Sequence, residues 1–207
     1  YCIHASSSDY SYRLEQLLYK KRLLERSQLE ELEHAKKLHP KKSLVQIILE
    51  NTWVSENELA QVVWHLTELV AYEVLLWQGT AFSLGKSRSS EAEMFGLGLS
   101  INKLMSAQSF AGEADKNLPV LILMREKLNN LNMILRREQE LEREQLSDYQ
   151  YHAYRYINNR NSIREILQLS ELGYFDTFAA LFQLLSWAYI GMGKLDVPRY
   201  QRKTPPG

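Results

Sequence analysis

The spacing Ser-x-x-Glu or Ser-x-x-Gln constrains the fold of this chain more than any other feature of its sequence. It occurs six times, at Ser27/Glu30, Ser43/Gln46, Ser55/Glu58, Ser90/Glu93, Ser147/Gln150 and Ser162/Glu165. In such a capping box the serine side chain accepts a hydrogen bond from the third helical N–H, and the acid or amide side chain accepts one from the serine N–H. Most of the matches precede an apolar run of helical period. The sequence therefore predicts a mainly α-helical protein.

Apolar spacing places the predicted elements in the first part of the chain. Helices are predicted over residues 10–20, 27–38, 44–50 and 56–77. The inward face of the last and longest of these helices is predicted to carry Leu59, Val62, Val63, Leu66, Leu69, Val70 and Val74. Residues 1–5 and 80–84 read as short strands that could pair into a small β-hairpin.

The second part of the chain is also predicted to be helical. The predicted elements are a helix over 91–110, a polar loop over 112–117, a helix from Pro119 through Leu135 into 136–144, and three helices over 148–158, 162–170 and 175–188. The mixed charges of residues 136–144 suggest a solvated helix face. The last three helices, with Gly173 in their final turn, have the spacing of a winged-helix-like or helix-turn-helix unit.

A thirty-residue internal repeat relates residues 13–37 to residues 43–67. The matched positions are Leu14 with Leu44, Gln16 with Gln46, Leu17/Leu18 with Ile47/Ile48, Leu23/Leu24 with Trp53/Val54, Leu29 with Leu59 and Leu32 with Val62. One unit alone cannot bury its apolar stripe, whereas two stacked units can. We therefore expect Leu17, Ile47, Val62 and Leu66 to be nearly fully buried in one shared core.

These patterns divide the chain into four regions. They are a two-repeat helical unit with short strands at 1–84, connecting helices at 85–146, a helix-turn-helix-like unit at 147–192 and a flexible tail at 193–207. The chain begins with Tyr1 rather than Met, so we expect it to be a piece of a longer protein.

Composition narrows the classes of protein that this chain could represent. Its 207 residues include 25 Lys and Arg against 25 Asp and Glu, and a dedicated nucleic-acid binder would carry a basic excess. The single cysteine, Cys2, cannot form an internal disulfide, which favours a reducing, cytoplasmic setting. No apolar run approaches the roughly 20 residues that a membrane-spanning helix needs, so membrane insertion is not expected.

The first repeat resembles the N-terminal domain of type II secretion and pilus extension ATPases, some of which bind cyclic di-GMP there. The resemblance implies candidate nucleotide-binding residues at Arg13, Leu14 and Leu44. Glu15 stands where the family motif has glycine, and the second repeat opens with Ser43 in place of arginine. A cyclic di-GMP receptor is therefore kept as an alternative, and strong binding by the repeat is not expected.

Nearly the whole chain resembles the PATAN-type domain of unknown function, which occurs in bacterial signalling proteins beside response-regulator receiver domains. Three stretches carry this resemblance. Residues 3–14, which begin Ile-His-Ala-Ser, are similar to the family's strand that ends in Ala-x-Ser before its first helix. The other two are residues 75–84, Leu-Leu-Trp-Gln-Gly-Thr-Ala-Phe-Ser-Leu, and residues 154–190, which include Ile-Asn-Asn-Arg-Asn-Ser-Ile-Arg-Glu-Ile at 157–166. The resemblance implies a regulatory interaction module with no established catalysis.

The last predicted helix bears on a second alternative, a helix-turn-helix transcription regulator. Reading DNA would require basic and amide side chains on this helix, but residues 175–190 contain no Lys and no Arg. Its aromatic and aliphatic side chains indicate core packing and protein docking instead. We therefore expect a protein partner, with a second copy of the chain as an open alternative, and we do not expect DNA.

Aromatic residues near the C-terminus are the candidate partner-binding residues. The candidates are Tyr149, Tyr151, His152, Phe175, Phe178 and Trp187. Tyrosine and tryptophan are enriched at protein interfaces because they supply rigid apolar area with a polar tip.

Catalytic, metal-binding and cofactor-binding signatures are missing from the sequence. There is no Gly-x-Gly-x-x-Gly motif and no P-loop, and His34 and His39 are five residues apart rather than the four that place two ligands on one helix face. His65 lies within the long apolar helix and is predicted to be a partly buried, hydrogen-bonded residue. The sequence therefore predicts a non-enzymatic protein without a metal or cofactor.

Overall fold

A computed structural model describes residues 13–76 and 107–193. In chain order the elements are α1 (Leu14–Lys20), α2 (Arg26–Leu38), α3 (Leu44–Glu50), α4 (Glu56–Leu75), α5 (Ala107–Lys127), β1 (Leu135–Arg137), a 3₁₀ helix (Arg143–Gln145), α6 (Asp148–Tyr154), α7 (Ile163–Leu169), α8 (Tyr174–Ser186) and β2 (Ile190–Met192). The predicted mainly helical fold is confirmed. The predicted strands at 1–5 and 80–84, the predicted capping box at Ser90/Glu93, most of the predicted helix at 91–110 and residues 194–207 of the predicted tail lie outside the described residues.

Capping boxes start most of the predicted helices at the expected residues. Ser43, Ser55, Ser147 and Ser162 each accept a hydrogen bond from the third residue of their helix, and each partner side chain accepts from the serine N–H. These caps define the starts of α3, α4, α6 and α7 by contacts that involve only neighbouring residues.

The predicted start of α2 is wrong by one residue. This helix begins at Arg26 rather than at Ser27, and its capping box is formed by Glu25 and Gln28. The Gln28 Oε1 atom accepts from the Glu25 N–H at 2.8 Å. A glutamate can therefore take the place of serine in the box, and Ser27 falls inside the first turn.

The thirty-residue repeat is present in the backbone. Helices α1 and α3 begin thirty residues apart, and so do α2 and α4. The turn between the helices also repeats, because the Leu23 N–H donates to Leu18 O and the Trp53 N–H donates to Ile48 O. Arg22 and Thr52 occupy the same position of this turn, with left-handed φ angles of 59° and 54°.

The two repeats share one core, as predicted. Leu17, Ile47, Val62 and Leu66 are nearly fully buried. Helix α4 packs against α1, α7 and α8. Six of the seven positions predicted to face inward on α4 are buried, and the seventh, Val74, is half-buried near the end of the helix.

Helix α5 corrects the prediction for residues 112–117. This polar stretch was predicted to be a loop, but it lies within the helix, and Pro119 lies in the interior of the helix rather than in its first turn. Ala114, within the polar stretch, is buried, as are Leu121 and Met124 at helical intervals beyond it, and the helix packs against α8. Tertiary packing thus compensates for the stability that the helix loses because proline cannot donate a backbone hydrogen bond.

The prediction of a helix through residues 136–144 is also wrong. Helix α5 ends at Lys127, and Leu135–Arg137 forms strand β1 instead. It pairs antiparallel with β2, with Leu135 opposite Met192 and Arg137 opposite Ile190. A three-residue strand is too short to show an alternating pattern of apolar and polar residues, and its partner lies more than fifty residues away in the sequence. Sequence patterning therefore could not predict it.

Helices α6, α7 and α8 lie between these two strands in the chain, in the region predicted to be a winged-helix-like unit. We call this region the C-terminal unit. Each of the three helices is shorter than its predicted range. Helix α8 packs against α4, α5, α6 and α7, and is thereby the centre of this unit.

Truncation of a core residue on α4 tests the shared core. We expect Leu66→Ala to lower the free energy of unfolding by about 2–5 kcal/mol, because it removes buried methyl groups and leaves a cavity. Leu38→Ala is the matched control, since that leucine is 63% exposed at the end of α2. Urea unfolding of both variants measures the difference, and a loss below about 0.5 kcal/mol for Leu66→Ala would contradict the packing of α4.

Candidate functional site

Three polar side chains of α4 contact the C-terminal unit. The His65 Nε2 atom lies 3.0 Å from the carbonyl oxygen of Leu167. The Glu68 Oε1 atom accepts from the Tyr174 N–H at 2.7 Å, and the Glu73 Oε1 atom accepts from the Tyr174 hydroxyl at 2.5 Å. These contacts join the repeat helices to the segment where α7 ends and α8 begins.

The Glu68 carboxyl group caps α8 from a distant part of the chain. The N-cap residue of α8 is Gly173, which has no side chain to accept from the first helical N–H groups. A Cβ atom at this position would lie 2.8 Å from Glu68 Oε1, so glycine leaves the space that the carboxyl group needs. Burial raises the pKa of Glu68 to about 7 despite the hydrogen bond from Tyr174, and the charges of Glu113 and Asp176 act in the same direction.

The His65 imidazole is neutral at pH 7. Burial lowers its pKa to about 4, with a further contribution from the positive charge of Lys21, while the hydrogen bond at Leu167 opposes the shift. The sequence prediction of a partly buried, hydrogen-bonded histidine is confirmed. His65 and Glu68, the two side chains of α4 with the largest pKa shifts among the described residues, are thus both held by hydrogen bonds to the C-terminal unit.

A polar cleft of about 920 Å³ opens beside His65. Its walls are the turn that follows α1, the first half of α4, and the residues that flank α7 on either side. The charged side chains that line it are Lys20, Lys21, Arg22, Arg155, Glu58 and Glu171. The cleft thus contains four permanent or near-permanent cations and two carboxylates. The sequence did not reveal it, because its walls come from three separate parts of the chain.

Arg155 and Glu171 form the most structured part of the cleft wall. The Arg155 Nη2 atom lies 2.8 Å from Glu171 Oε1 and donates to the Tyr156 hydroxyl at 2.7 Å. His152 Nδ1 lies 3.4 Å from the other oxygen of the same carboxylate. The Arg155 hydrogen bond lowers the pKa of Glu171, so this carboxylate is ionised at neutral pH. The Arg155 Nε atom is buried and has no hydrogen-bond partner among the described residues.

The predicted partner-binding residues do not form a single surface. Tyr149 and Trp187 are 56% and 54% exposed. Tyr149 precedes Gln150, whose Nε2 donates to Gln183 Oε1 at 3.0 Å, and Trp187 lies one turn beyond Gln183. This hydrogen bond joins α6 and α8 one residue after Tyr149 and four residues before Trp187. We call Tyr149 and Trp187 the aromatic end of the C-terminal unit.

The remaining candidates of that set lie elsewhere. Phe178 is fully buried, stacked on the Tyr174 ring at 5.9 Å, and offers no surface to a partner. Phe175 is half-buried in the first turn of α8, about 18 Å along the helix axis from Trp187 at 1.5 Å per residue. His152 faces Glu171 at the cleft, and Tyr151 is half-buried beneath the Arg143 guanidinium group, 4.6 Å from the ring centre. Helical period alone could not separate these positions, because the unit packs on several sides.

The residues implied by the nucleotide-binding resemblance lie at helix starts. Arg13 is the N-cap of α1, and Leu14 and Leu44 are the first residues of α1 and α3. Both leucines are half-buried against the core. The cleft cations Lys20 and Arg22 lie at the opposite end of α1, so the two sets of residues are separate.

A second exposed apolar surface, missed by the sequence analysis, lies on α5. Residues 118–124 are apolar on every face of this helix. Leu121 and Met124 are buried, whereas Val120, Ile122 and Leu123 are 40–63% exposed. A helix segment that is apolar all round normally has both sides covered.

The metal-binding capacity and the apolar length of the helices can be stated for residues 13–76 and 107–193. Within them, no three His, Cys, Asp or Glu side chains are grouped closely enough to hold a metal ion. No helix in the same ranges is long and apolar enough to cross a membrane.

Comparison of the chain with protein-family models, with curated proteins and with solved structures gives no match in any of the three. The two family resemblances noted from the sequence therefore remain predictions.

His65 and Glu68 predict opposite dependences of stability on pH. The folded pKa of His65, about 4, lies below its ordinary 6.5, so the unfolded chain binds more protons between these values and stability falls as pH falls. The folded pKa of Glu68, about 7, lies above its ordinary 4.5, so the folded chain binds more protons and stability falls as pH rises. In the wild-type chain the two effects oppose each other between about pH 4.5 and 6.5.

Single variants should separate these two effects. Relative to wild type, His65→Gln should gain stability as pH falls from 6.5 to 4.5, and Glu68→Gln should gain stability as pH rises over the same range. Each slope should approach about 1.4 kcal/mol per pH unit at most. Urea unfolding at half-unit pH intervals measures both. Parallel pH profiles for the wild type and both variants would contradict the assignment.

Proposed function

We propose that this chain is a non-catalytic bacterial signalling or scaffold module that acts through protein–protein contact. The observation that carries the proposal is the aromatic end, where Tyr149 and Trp187 stay more than half exposed on two helices held together by the Gln150–Gln183 hydrogen bond. Large aromatic side chains on a rigid support are typical anchors of protein interfaces. The PATAN-type resemblance of the sequence points to the same class of function.

Helix α8 supports a protein partner over DNA. In a helix-turn-helix protein the corresponding helix enters the major groove, which requires one free face with basic or amide side chains. Here α8 is surrounded by four other helices, and it carries no Lys or Arg. Its most exposed large apolar neighbour, Trp187, is suited to an apolar pocket rather than to a phosphate backbone.

Alanine variants of the aromatic end test the proposal. Trp187→Ala and Tyr149→Ala should each reduce partner capture at least tenfold, which corresponds to a loss of about 1.4 kcal/mol of binding free energy, because large aromatic rings dominate the energetics of many interfaces. The free energy of unfolding should change by less than about 1 kcal/mol, because both rings are largely exposed. The measurement is quantitative mass spectrometry of proteins retained from a bacterial lysate by the immobilised chain.

Trp64→Ala is the matched control, because Trp64 is 41% exposed on α4 and lies away from the aromatic end. A partner that binds the wild type and the Trp64→Ala variant but not the Trp187→Ala variant would support the proposal. Sedimentation of the purified chain tests whether that partner is a second copy. Equal retention of every captured protein by the wild type and both aromatic-end variants would contradict it.

A further inference from the structure

The two repeats use the same turn but carry different charges on it. Residues 20–22 are Lys-Lys-Arg, whereas the matching residues 50–52 are Glu-Asn-Thr. Both turns have the same backbone hydrogen bonds and the same left-handed residue at the third position. The turn therefore does not need cations in order to fold. The three positive charges occur only in the copy that faces the C-terminal unit and lines the cleft.

These cations are not neutralised by direct ion pairs in the described part of the chain. The Lys20 Nζ atom donates to the Gln168 amide oxygen at 2.7 Å, and the Lys21 Nζ atom donates to the Ser170 carbonyl oxygen at 3.1 Å. Both acceptors are neutral. Glu171, the carboxylate whose charge acts on Lys21, is already bound by Arg155 at 2.8 Å. The cleft therefore keeps an excess of positive charge that its own side chains leave uncompensated.

One of the cations lies where its charge is costly, and a second has a buried hydrogen-bond donor without a partner among the described residues. Lys21 is half-buried, and burial lowers its pKa although Glu171 acts in the opposite direction. Arg155 lines the same cleft, and its buried Nε–H has no acceptor among the described residues. A buried donor without an acceptor and a half-buried ammonium group both become more favourable when an anion is bound beside them.

We propose that this cleft binds a small phosphorylated molecule from solution, with its phosphate held by Lys20, Lys21, Arg22 and Arg155. Phosphate suits the site because it carries about two charges and several acceptor oxygens, which match cations that converge from different directions. At about 920 Å³ the cleft is larger than a phosphate ion and lies within the size range of small-molecule sites. The Tyr156 ring and Leu23 line the remaining space and can contact the organic part of the ligand.

Isothermal titration calorimetry of the full chain with inorganic pyrophosphate tests this site. We expect saturable binding at pH 7 in dilute buffer, and at least a fivefold weaker affinity for Arg22→Thr and for Lys20→Gln. Arg22→Thr installs the residue that the second repeat already carries in the same left-handed conformation, so the turn has a precedent for it. Unchanged thermal unfolding of this variant confirms that it folds.

Lys42→Gln is the matched control, because Lys42 is a half-exposed cation immediately before the second repeat that pairs with Glu50 outside the cleft. It should bind pyrophosphate as the wild type does. An affinity that is the same in all four proteins would overturn the proposal, since the anion would then be held by surface charge elsewhere.

A second experiment, flotation of the chain with vesicles that contain phosphatidic acid, tests whether the phosphate belongs to a lipid headgroup. Binding to these vesicles without any binding of free pyrophosphate would also overturn the proposal and assign the cleft to a lipid headgroup.

Discussion

The hydrogen bond from the Tyr174 N–H to the Glu68 carboxyl group is the contact on which the arrangement of the two helical units depends. It supplies the cap that Gly173 cannot provide, and it joins residues more than one hundred positions apart in the chain. Burial of the carboxyl group is unfavourable for its charged form, which is why its pKa rises to about 7. His65 and Glu73 add two contacts from the same helix. Helix α4 is thus both the core of the repeats and the support for α8.

The two repeats show how similar local structure can carry different chemistry. Each combines a short helix, a turn with one left-handed residue and a capped helix. The second turn lies beside α2 in a groove that includes Trp53 and Asn51, whereas the first turn faces the C-terminal unit across a polar cleft. The backbone is conserved between the copies because the apolar pairs must enter one core. The exposed positions of the turn are free to differ, and the cations lie there.

Residue type alone was enough to identify the exposed members of the predicted partner-binding set, but not to predict how the members of this set are arranged in space. Tyrosine and tryptophan near the C-terminus were sound candidates, and Tyr149 and Trp187 are exposed. Phe178 has the same apolar character and is buried, because α8 packs against four helices and has little free surface. The cleft was beyond sequence reasoning for a different reason. Lys21, Arg155 and Glu171 belong to three segments, and only the packing of α1 and α4 against α7 brings these charges together.

The sequence by itself determined the elements that rest on neighbouring residues. Capping boxes at Ser43, Ser55, Ser147 and Ser162 define helix starts, and the thirty-residue repeat predicts the shared core, because these contacts span only a few positions or a regular period. Tertiary structure decided the rest. Helix α5 continues through a polar stretch and a proline because α8 covers one face, and residues 135–137 form a strand because β2 is beside them. In each case the deciding partner lies far along the chain, where local propensity carries no information.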